Sequence, residues 1–177
     1  MRSAQVGDYE PRLGGLVHRL ANIAGDVELG EGTRVDAFVT LTGRVRIGRF
    51  CHISIGACVF GTEGVVIGDY SGLSAGVKVF TGTEDLSGEW MMNPTISARY
   101  RKSISQPVRI GAHCVVGAGS VLLPGAHLPD GACVGALSLV KSPASEWSIW
   151  AGVPARFIRA RSRRALELQA AFEADKD

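Results

Sequence analysis

The chain has 177 residues, a length that suits one domain with a sizeable core. Lys and Arg number 19 against 17 Asp and Glu, and this near balance argues against a general attraction to nucleic acid or to an anionic membrane. No apolar run approaches the ~20 residues of a membrane-spanning helix, and the N-terminus lacks a secretory signal pattern, so we expect a soluble, cytoplasmic protein without membrane insertion.

Residues 1–22 precede the regular part of the sequence and carry a short apolar patch from Leu13 to Val17. A fold built from stacked strands leaves unpaired strand edges at its ends, and such edges invite aggregation unless they are covered. We therefore predict that this N-terminal segment is a cap over one end of the domain.

From residue 23 onward an aliphatic side chain returns at every sixth position. The series slips by two residues after Val59 and is interrupted after Val79. A helix would not keep such positions on one face, because its period is about 3.6 residues. All of these anchor positions hold Ile, Leu or Val, namely Ile23, Leu29, Val35, Leu41, Ile47, Ile53, Val59, Ile67, Leu73, Val79, Ile104, Ile110, Val116, Leu122, Leu128, Val134 and Val140.

The position four residues after each anchor is small or compact, and glycine often follows the anchor directly. Glycine as a whole is abundant, at 23 of 177 residues, against a usual fraction of about 7%. Two inward positions per hexad describe short strands that wrap around a narrow interior. The pattern predicts an all-β fold, a parallel β-helix of about five coils over residues 23–140, with three hexads in each triangular coil.

The interruption spans residues 80–103. Long loops in compact domains are usually functional or disordered, and this one contains Trp90, Met91, Met92 and Tyr100, which is too apolar a content for disorder. We predict a protruding loop with a functional role.

Residues 141–177 follow the last hexad. Leu166, Leu168 and Phe172 alternate with charged residues there, and we predict a C-terminal tail with a helix from about Ala160 to Ala174 that lies outside the prism. The predicted organisation is thus a cap (1–22), a β-helix (23–140) with its loop (80–103), and a tail with a helix (141–177).

The four cysteines have neither the C-x-x-C spacing of a zinc site nor the context of a secreted disulfide scaffold. We interpret them as small buried apolar residues. They are Cys51, Cys58, Cys114 and Cys133.

Three stretches, Pro107–Leu128, Gly135–Ser142 and Trp150–Arg161, resemble the hexapeptide-repeat acetyltransferases, in the branch near the maltose, galactoside and O-antigen sugar acetyltransferases. The last stretch looks like the terminal G-x-P-A-[KR] signature of that family. The resemblance implies left-handed coils, a homotrimer with active sites between its subunits, acetyl-CoA as co-substrate and no metal. It also implies a sugar acceptor, a loop at residues 80–103 that helps to build the acceptor pocket of a neighbouring subunit, and a role in the synthesis of cell-surface polysaccharide such as lipopolysaccharide.

The expected cofactor site follows from the shape of CoA. Its pantetheine arm is a thin amide chain that needs a groove of exposed backbone and small side chains, and its phosphates need Lys or Arg. The alternative is that the glycines serve only as turn residues. The residues that we assign to this site are Gly117, Ala118, Gly135, Ser138, Lys141 and Arg156.

The sequence offers several candidates for the catalytic base, because the family's histidine at the start of the loop falls on Glu84 here. Either Glu84 or its neighbour Asp85 accepts the proton, or a histidine elsewhere does. His52 is our first choice, with Glu84 or Asp85 as its orienting partner, and His113 is the second.

Three further residues are assigned to the acceptor. Ser54 matches an acceptor-contacting position of the related sugar acetyltransferases, and Trp90 and Tyr100 lie on the loop. A sugar hydroxyl benefits strongly from a positioned histidine, whereas a free amine already attacks well. The missing loop histidine therefore favours N-acetylation of a nucleotide-linked amino sugar, with O-acetylation of a hydroxyl as the alternative.

Two other classes of β-helix protein are alternatives to an acetyltransferase. A metal-dependent enzyme of the γ-carbonic-anhydrase type needs three histidines that converge, and His52, His113 and His127 occupy unrelated hexad positions. A non-catalytic β-helix, such as an ice-binding or structural protein, would carry a flat ladder of threonines on one face. Only Thr40 and Thr42 suggest such a ladder here.

Overall fold

The computed structural model describes residues 8–142 and 144–175, so residues 1–7 of the expected cap and residues 143, 176 and 177 of the expected tail lie outside the described part. The chain forms a left-handed parallel β-helix, which confirms the predicted fold class. The helix α1 spans Arg164–Ala174. The strands are β1 Tyr9–Arg12, β2 Gly15–His18, β3 Asn22–Leu29, β4 Arg34–Val35, β5 Thr40–Ile47, β6 His52–Ile53, β7 Cys58–Ile67, β8 Gly72–Leu73, β9 Lys78–Phe80, β10 Gly82–Glu84, β11 Ser103–Ser105, β12 Val108–Ile110, β13 Val115–Val116, β14 Val121–Leu122, β15 His127–Leu128, β16 Cys133–Val134, β17 Leu139–Val140, β18 Ser148–Ala151 and β19 Arg156–Ala160.

One face of the prism is a nine-stranded sheet in the order β1-β2-β4-β6-β8-β13-β16-β18-β19, in which the seven strands from β2 to β18 are parallel. Strands β3, β5 and β7 turn around a corner, and together with β9, β12, β14, β15 and β17 they form the other two faces. Residues 23–140 contribute five layers to the first face. The structure adds β2 before them and β18 after them, beyond the span in which the hexads were counted.

The ends of the first face are antiparallel. Strand β1 folds back on β2, which pairs in parallel with β4, so this hairpin covers the first coil. At the other end β19 folds back on β18. The helix α1 therefore begins at Arg164, later than the predicted Ala160, because residues 156–160 belong to a strand.

The core consists of the two columns that the hexads predict. Fifteen of the anchors are buried and Ile23 is partly buried against them, but Ile104 is 49% exposed. Ile104 lies on β11, which pairs only with β10 at the base of the loop, so it belongs to the loop and is wrongly predicted as an anchor. Every member of the second column is buried, namely Thr33, Val39, Val45, Cys51, Ala57, Ser71, Val77, Val108, Cys114, Ser120, Ala126, Ala132 and Ser138.

Buried hydroxyls in the second column bond the backbone of neighbouring coils. The Thr33 hydroxyl donates to the Gly48 carbonyl at 2.6 Å and accepts from the Cys51 amide at 2.9 Å. Ser71 repeats this arrangement with the Gly111 carbonyl and the Cys114 amide. These hydroxyls are satisfied, and they join successive coils at one corner without the cost of an unpaired buried polar group.

The loop emerges from the corner between the second and third faces. It starts after the buried Thr81 and returns at Gln106, whose amide bonds the Thr81 carbonyl at 2.9 Å. The loop proper is thus residues 82–105, two residues later than predicted, with strands β10 and β11 at its base. A short 3-10 turn spans Ala98–Tyr100.

An aromatic stack runs along another corner. The rings of Phe50 and Tyr70 stack at 5.3 Å, and those of Tyr70 and His113 stack at 5.3 Å. The helix α1 packs over this corner, where Phe172 meets Phe50 and Tyr70 edge-on and Gln169 Oε1 lies 2.6 Å from His113 Nε2. The predicted position of the helix, outside the prism, is correct.

A buried anchor, Ile53, and the exposed position Ile104 give a matched test of this packing. Ile53→Ala should lower the free energy of unfolding by about 3 kcal/mol, because Ile53 is fully buried and its loss leaves a cavity. Ile104→Ala should change it by less than about 1 kcal/mol, because Ile104 lies on the loop. Equilibrium denaturation at one protein concentration measures both values, and equal losses would contradict the assignment of Ile104.

Candidate active site

An open groove of about 470 Å³ lies on the first face, within the usual range for small-molecule sites. It exists because Gly72, the register partner of His52 on the next strand, has no side chain. A second depression of about 530 Å³ adjoins it and shares Phe50 and His52. The residues that line the first groove include His52, Ser54, Tyr70, Gly72, Ser74 and Val115.

His52 stands at the junction of the two depressions with its side chain 47% exposed. Its Nε2 lies 2.7 Å from Asp36 Oδ2 and 3.0 Å from an Arg34 guanidinium nitrogen. Arg34 is directly beside His52 because the two residues are register partners on β4 and β6. Within the part of the chain that the structure describes, the other ring nitrogen, Nδ1, has no hydrogen-bond partner.

Asp36 is the carboxylate that orients His52. Its side chain is only 15% exposed, and Arg34 Nε lies 3.0 Å from its Oδ1. Partial burial raises the pKa of Asp36, but hydrogen bonds from His52 and Tyr9 and the charges of His52 and Arg34 outweigh it, so the pKa lies below its ordinary value. Asp36 is therefore ionised at neutral pH, and its Oδ2 can accept a hydrogen bond from a protonated His52 Nε2.

The chemistry of this pair follows from the tautomer. When Nε2 carries the proton and donates a hydrogen bond to Asp36, Nδ1 is a hydrogen-bond acceptor. A histidine held in this way by a carboxylate is the arrangement of a general base. The structure thus places an imidazole that is able to act as a base at the edge of the groove.

Glu84 and Asp85 have other partners. Glu84 lies 3.7 Å from Arg101, and Asp85 lies 4.0 Å from Lys102. Hydrogen bonds from Ser87 lower the pKa of Asp85, and the charge of Lys102 adds to this effect. The predicted role of these two residues as orienting partners of His52 is wrong within the protomer, because Asp36 occupies that position.

Sequence reasoning missed Asp36, although a signal for it exists. Residues 18 positions apart stand in the same outward column of successive coils, as Arg34 and His52 do. A search for carboxylates 16 to 20 residues from His52 finds Asp36 and Asp69, of which Asp69 bonds Arg49 in the structure and Asp36 contacts His52. Ser74, which shares the groove with Ser54, was missed for the same reason.

His113 has a structural environment. It is 9% exposed, its ring stacks on Tyr70, and its Nε2 lies next to Gln169 of the terminal helix. Trp147 approaches it from the other side, with ring centroids 5.8 Å apart. This enclosure leaves no path for an acceptor, so we do not include His113 in the proposed machinery.

Of the residues expected to bind CoA, all except Ser138 are at least partly exposed at the surface. Gly117, Ala118 and Gly135 lie at the surface of one corner, and a Cβ on Gly117 would meet Gly135 and Ala136 backbone atoms at 2.4–2.6 Å. Gly117 is therefore needed for coil stacking as well as for an open groove.

Lys141 and Arg156 are exposed farther along the chain. Ser138, in contrast, is buried, and its hydroxyl bonds the Gly135 carbonyl and the Gly152 amide. Its side chain faces the interior and is not part of the groove, as its place in the second column should have indicated.

The cysteines in the described residues are free, and two of them, Cys51 and Cys114, are buried. Burial raises the pKa of the Cys114 thiol to about 12, which keeps it protonated and unreactive. Among residues 8–142 and 144–175, no group of three or more His, Cys, Asp or Glu side chains could hold a metal ion. In the same residues no helix is long and apolar enough to cross a membrane.

Comparison with known proteins gives the family. No protein-family model matches the chain. The chain is 34% identical over 151 residues to the dTDP-4-amino-4,6-dideoxy-D-glucose acyltransferase of Escherichia coli, over 84% of this chain and 79% of that enzyme. The chain belongs to the hexapeptide-repeat acyltransferases.

A second relative is described as an O-acetyl transferase of lipopolysaccharide biosynthesis, WbbJ of Escherichia coli strain K12. It is 31% identical over 73% of this chain and 66% of that protein. The predicted family and enzyme class are thus confirmed.

Solved structures agree with this assignment. A serine variant of AntD, an N-acyltransferase from Bacillus cereus in complex with dTDP-4-amino-4,6-dideoxyglucose and coenzyme A, has a TM-score of 0.89 at 32% identity and covers 92% of this chain and 89% of its own. AntD with dTDP and 3-hydroxybutyryl-CoA also has a TM-score of 0.89. The polySia-specific acetyltransferase NeuO, at 20% identity and a TM-score of 0.65, shares the fold.

The loop of this acyltransferase exposes its apolar side chains. Trp90 and Tyr100, the expected acceptor contacts, are 41% and 47% exposed, and Met91 and Met92 are equally open. The guanidinium of Arg99 stacks over Tyr100 at 4.4 Å. Exposed apolar groups of this kind mark a contact surface for a ligand or another chain.

Gly72 gives a direct test of the groove in this acyltransferase. A Cβ at Gly72 would have only the His52 carbonyl oxygen nearby, at 3.5 Å, so Gly72→Val should leave the melting temperature unchanged. Because the added side chain fills the space beside His52, KM for the acceptor should rise about tenfold or more.

The matched control is Ala24→Val, an enlargement at an exposed strand position outside the groove. Steady-state kinetics with a varied acceptor measure both variants. An unchanged KM in Gly72→Val would place the acceptor elsewhere.

Proposed function

We propose that this acyltransferase moves the acetyl group of acetyl-CoA to the amino group of a nucleotide-linked 4-amino sugar. The observation that carries this proposal is the His52–Asp36 pair, with its unpartnered Nδ1, at the edge of a groove. The substrate class is supported by the relative named for dTDP-4-amino-4,6-dideoxy-D-glucose and by the AntD complexes with that sugar nucleotide and coenzyme A. The relative WbbJ supports a role in the synthesis of cell-surface polysaccharide, and we place the enzyme in the cytoplasm.

The reaction needs a neutral amine near the thioester carbonyl. The amine nitrogen attacks the carbonyl carbon, the new C–N bond forms, and the C–S bond breaks. The nitrogen loses one proton, which His52 Nδ1 accepts and which the leaving CoA thiolate then takes up. Asp36 stabilises the imidazolium that forms in between.

The column beside His52 gives the acyl donor its place in this proposal. The positions that follow Ile53, Leu73, Val116 and Val134 are in register and hold only serine or glycine, so a narrow path runs from the groove along the corner. A pantetheine arm fits such a path, with the backbone near Gly117, Ala118 and Gly135 as its hydrogen-bonding surface.

Lys141 and Arg156 are exposed at the far end of this path. We assign them to the phosphates of CoA, because both side chains carry positive charge and are free to reach an anion.

A homotrimer completes the site in this proposal. The apolar loop extends from a corner of the prism, and the protomer alone does not cover Trp90 or Tyr100. We infer that these residues, with Ser54 of an adjacent prism, contact the acceptor sugar. Glu84 and Asp85, at the base of the loop, would then approach the groove of a neighbouring subunit.

His52→Ala tests the proposed base. Turnover should fall by about 100-fold or more, the usual contribution of a positioned general base. His127→Ala, a loss of an exposed histidine on another face, is the control and should keep full turnover. A loss below about tenfold in His52→Ala, measured as CoA release, would transfer the role to Glu84.

O-acetylation is the second candidate, favoured by the similarity to WbbJ and by a histidine–carboxylate pair that also suits a hydroxyl. The two candidates differ for dTDP-4-amino-4,6-dideoxyglucose and dTDP-6-deoxyglucose, which exchange an amine for a hydroxyl at one carbon. We expect kcat/KM to be higher for the amine by about 100-fold. A preference for the hydroxyl, in the same CoA-release assay, would reverse the assignment.

A further inference from the structure

The N-terminal hairpin contacts the site. The Tyr9 hydroxyl donates a hydrogen bond to Asp36 Oδ1 at 2.8 Å, across 27 residues of sequence. The hairpin is fixed to the prism by parallel pairing of Leu16 with Arg34 and of Val17 with Val35, and Val17 is fully buried. Tyr9 therefore stands on a rigid element.

The carboxylate of Asp36 is divided between its partners. Oδ1 accepts a hydrogen bond from the Tyr9 hydroxyl and forms an ion pair with Arg34 Nε at 3.0 Å, while Oδ2 faces His52 Nε2. Because Oδ1 is held from two directions, Oδ2 is directed at the imidazole. Without the Tyr9 hydroxyl, Arg34 alone would hold Oδ1, and the carboxylate could rotate.

Arg34 competes with Asp36 for a hydrogen bond with His52 Nε2. Its guanidinium nitrogen lies 3.0 Å from His52 Nε2, and a guanidinium can only donate. If Arg34 donates to Nε2, that nitrogen has no proton, and the neutral ring carries its proton on Nδ1. If Asp36 accepts from Nε2, Nδ1 is free to act as a base. The position of the Asp36 carboxylate thus decides the tautomer.

We propose that Tyr9 is a positioning residue that fixes Asp36 and thereby holds His52 in the tautomer with the proton on Nε2. This inference rests on the proposed function, in which Nδ1 is the base. It gives the N-terminal hairpin a part in catalysis beyond covering the first coil.

Tyr9 suits this role over a wide pH range. Partial burial raises its pKa, and the hydrogen bond to Asp36 raises it further. The hydroxyl therefore remains protonated, and able to donate, at neutral and moderately alkaline pH. The ring also packs edge-on against His18 at 5.0 Å, a contact that phenylalanine would keep.

The first test is a double-mutant cycle of Tyr9→Phe and His52→Gln. Tyr9→Phe alone should lower kcat about tenfold, the scale of a lost hydrogen bond to a charged group, with both KM values unchanged. In the His52→Gln background the same change should have no further effect. Asp8→Asn, which removes the exposed Asp8–Arg19 pair of the same hairpin, is the control and should leave kcat unchanged.

Nitrogen-15 NMR of the imidazoles, with His52 assigned from the spectrum of His52→Gln, gives a second test without substrate. The wild-type protein should show the proton on Nε2 of His52, and Tyr9→Phe should shift the population toward Nδ1. Equal loss of kcat in both backgrounds, or an unchanged tautomer, would overturn the role of Tyr9. The tautomer result stands even if the sugar is misassigned, so the failure of this inference and the failure of the proposed function are distinguishable.

Discussion

Backbone hydrogen bonds from coil to coil are the constraint on which the molecule depends. They run between parallel strands in register, so residues one coil apart stand directly above one another. Inward columns of aliphatic residues and of small residues fill this narrow prism. Outward side chains become columns by the same rule, which is how Arg34, His52 and Gly72 come to share one face.

The corners of the prism impose a second constraint, because the backbone turns there through residues with positive φ. Phe50, Tyr70, His113 and Trp147 adopt φ values between 45° and 58° there, where glycine is usual. The strain is offset by stacking of their rings along the corner and by the helix α1 that covers them. At Gly131, a Cβ would lie 2.3 Å from the Trp147 ring, so this glycine makes space for the stack. This accounts for His113 as a structural residue.

The period of six was sufficient to predict the fold class, the buried columns and, with the resemblance, the enzyme family. It failed at Ile104, because an aliphatic residue at the right spacing says nothing about whether its strand pairs with the prism or with the loop. The count also started after β2, whose buried Val17 lies one hexad before Ile23, and it ended before β18, which pairs as a coil without repeating the hexad. Resemblance alone could not separate Ser138, which is buried, from the glycines beside it.

The candidate site was harder to predict for a physical reason. His52 was identifiable as a histidine at a prism corner, but its partners come from other coils, at distances in sequence that only the register fixes. Asp36 and Arg34 belong to the preceding coil, and Tyr9 comes from the hairpin outside the repeat. The residues of one chain do not reveal contacts between protomers. Length and composition therefore indicated only that the loop is functional, and its role at a neighbouring subunit came from the resemblance.

The central claim is that His52 Nδ1 faces the nucleophile of the acceptor. A crystal structure with coenzyme A and dTDP-4-amino-4,6-dideoxyglucose tests it most directly. The account predicts the sugar nitrogen within about 3.2 Å of Nδ1, or joined to it through one water, with Asp36 still on Nε2. A sugar nitrogen bound away from His52, against another titratable side chain, would contradict it.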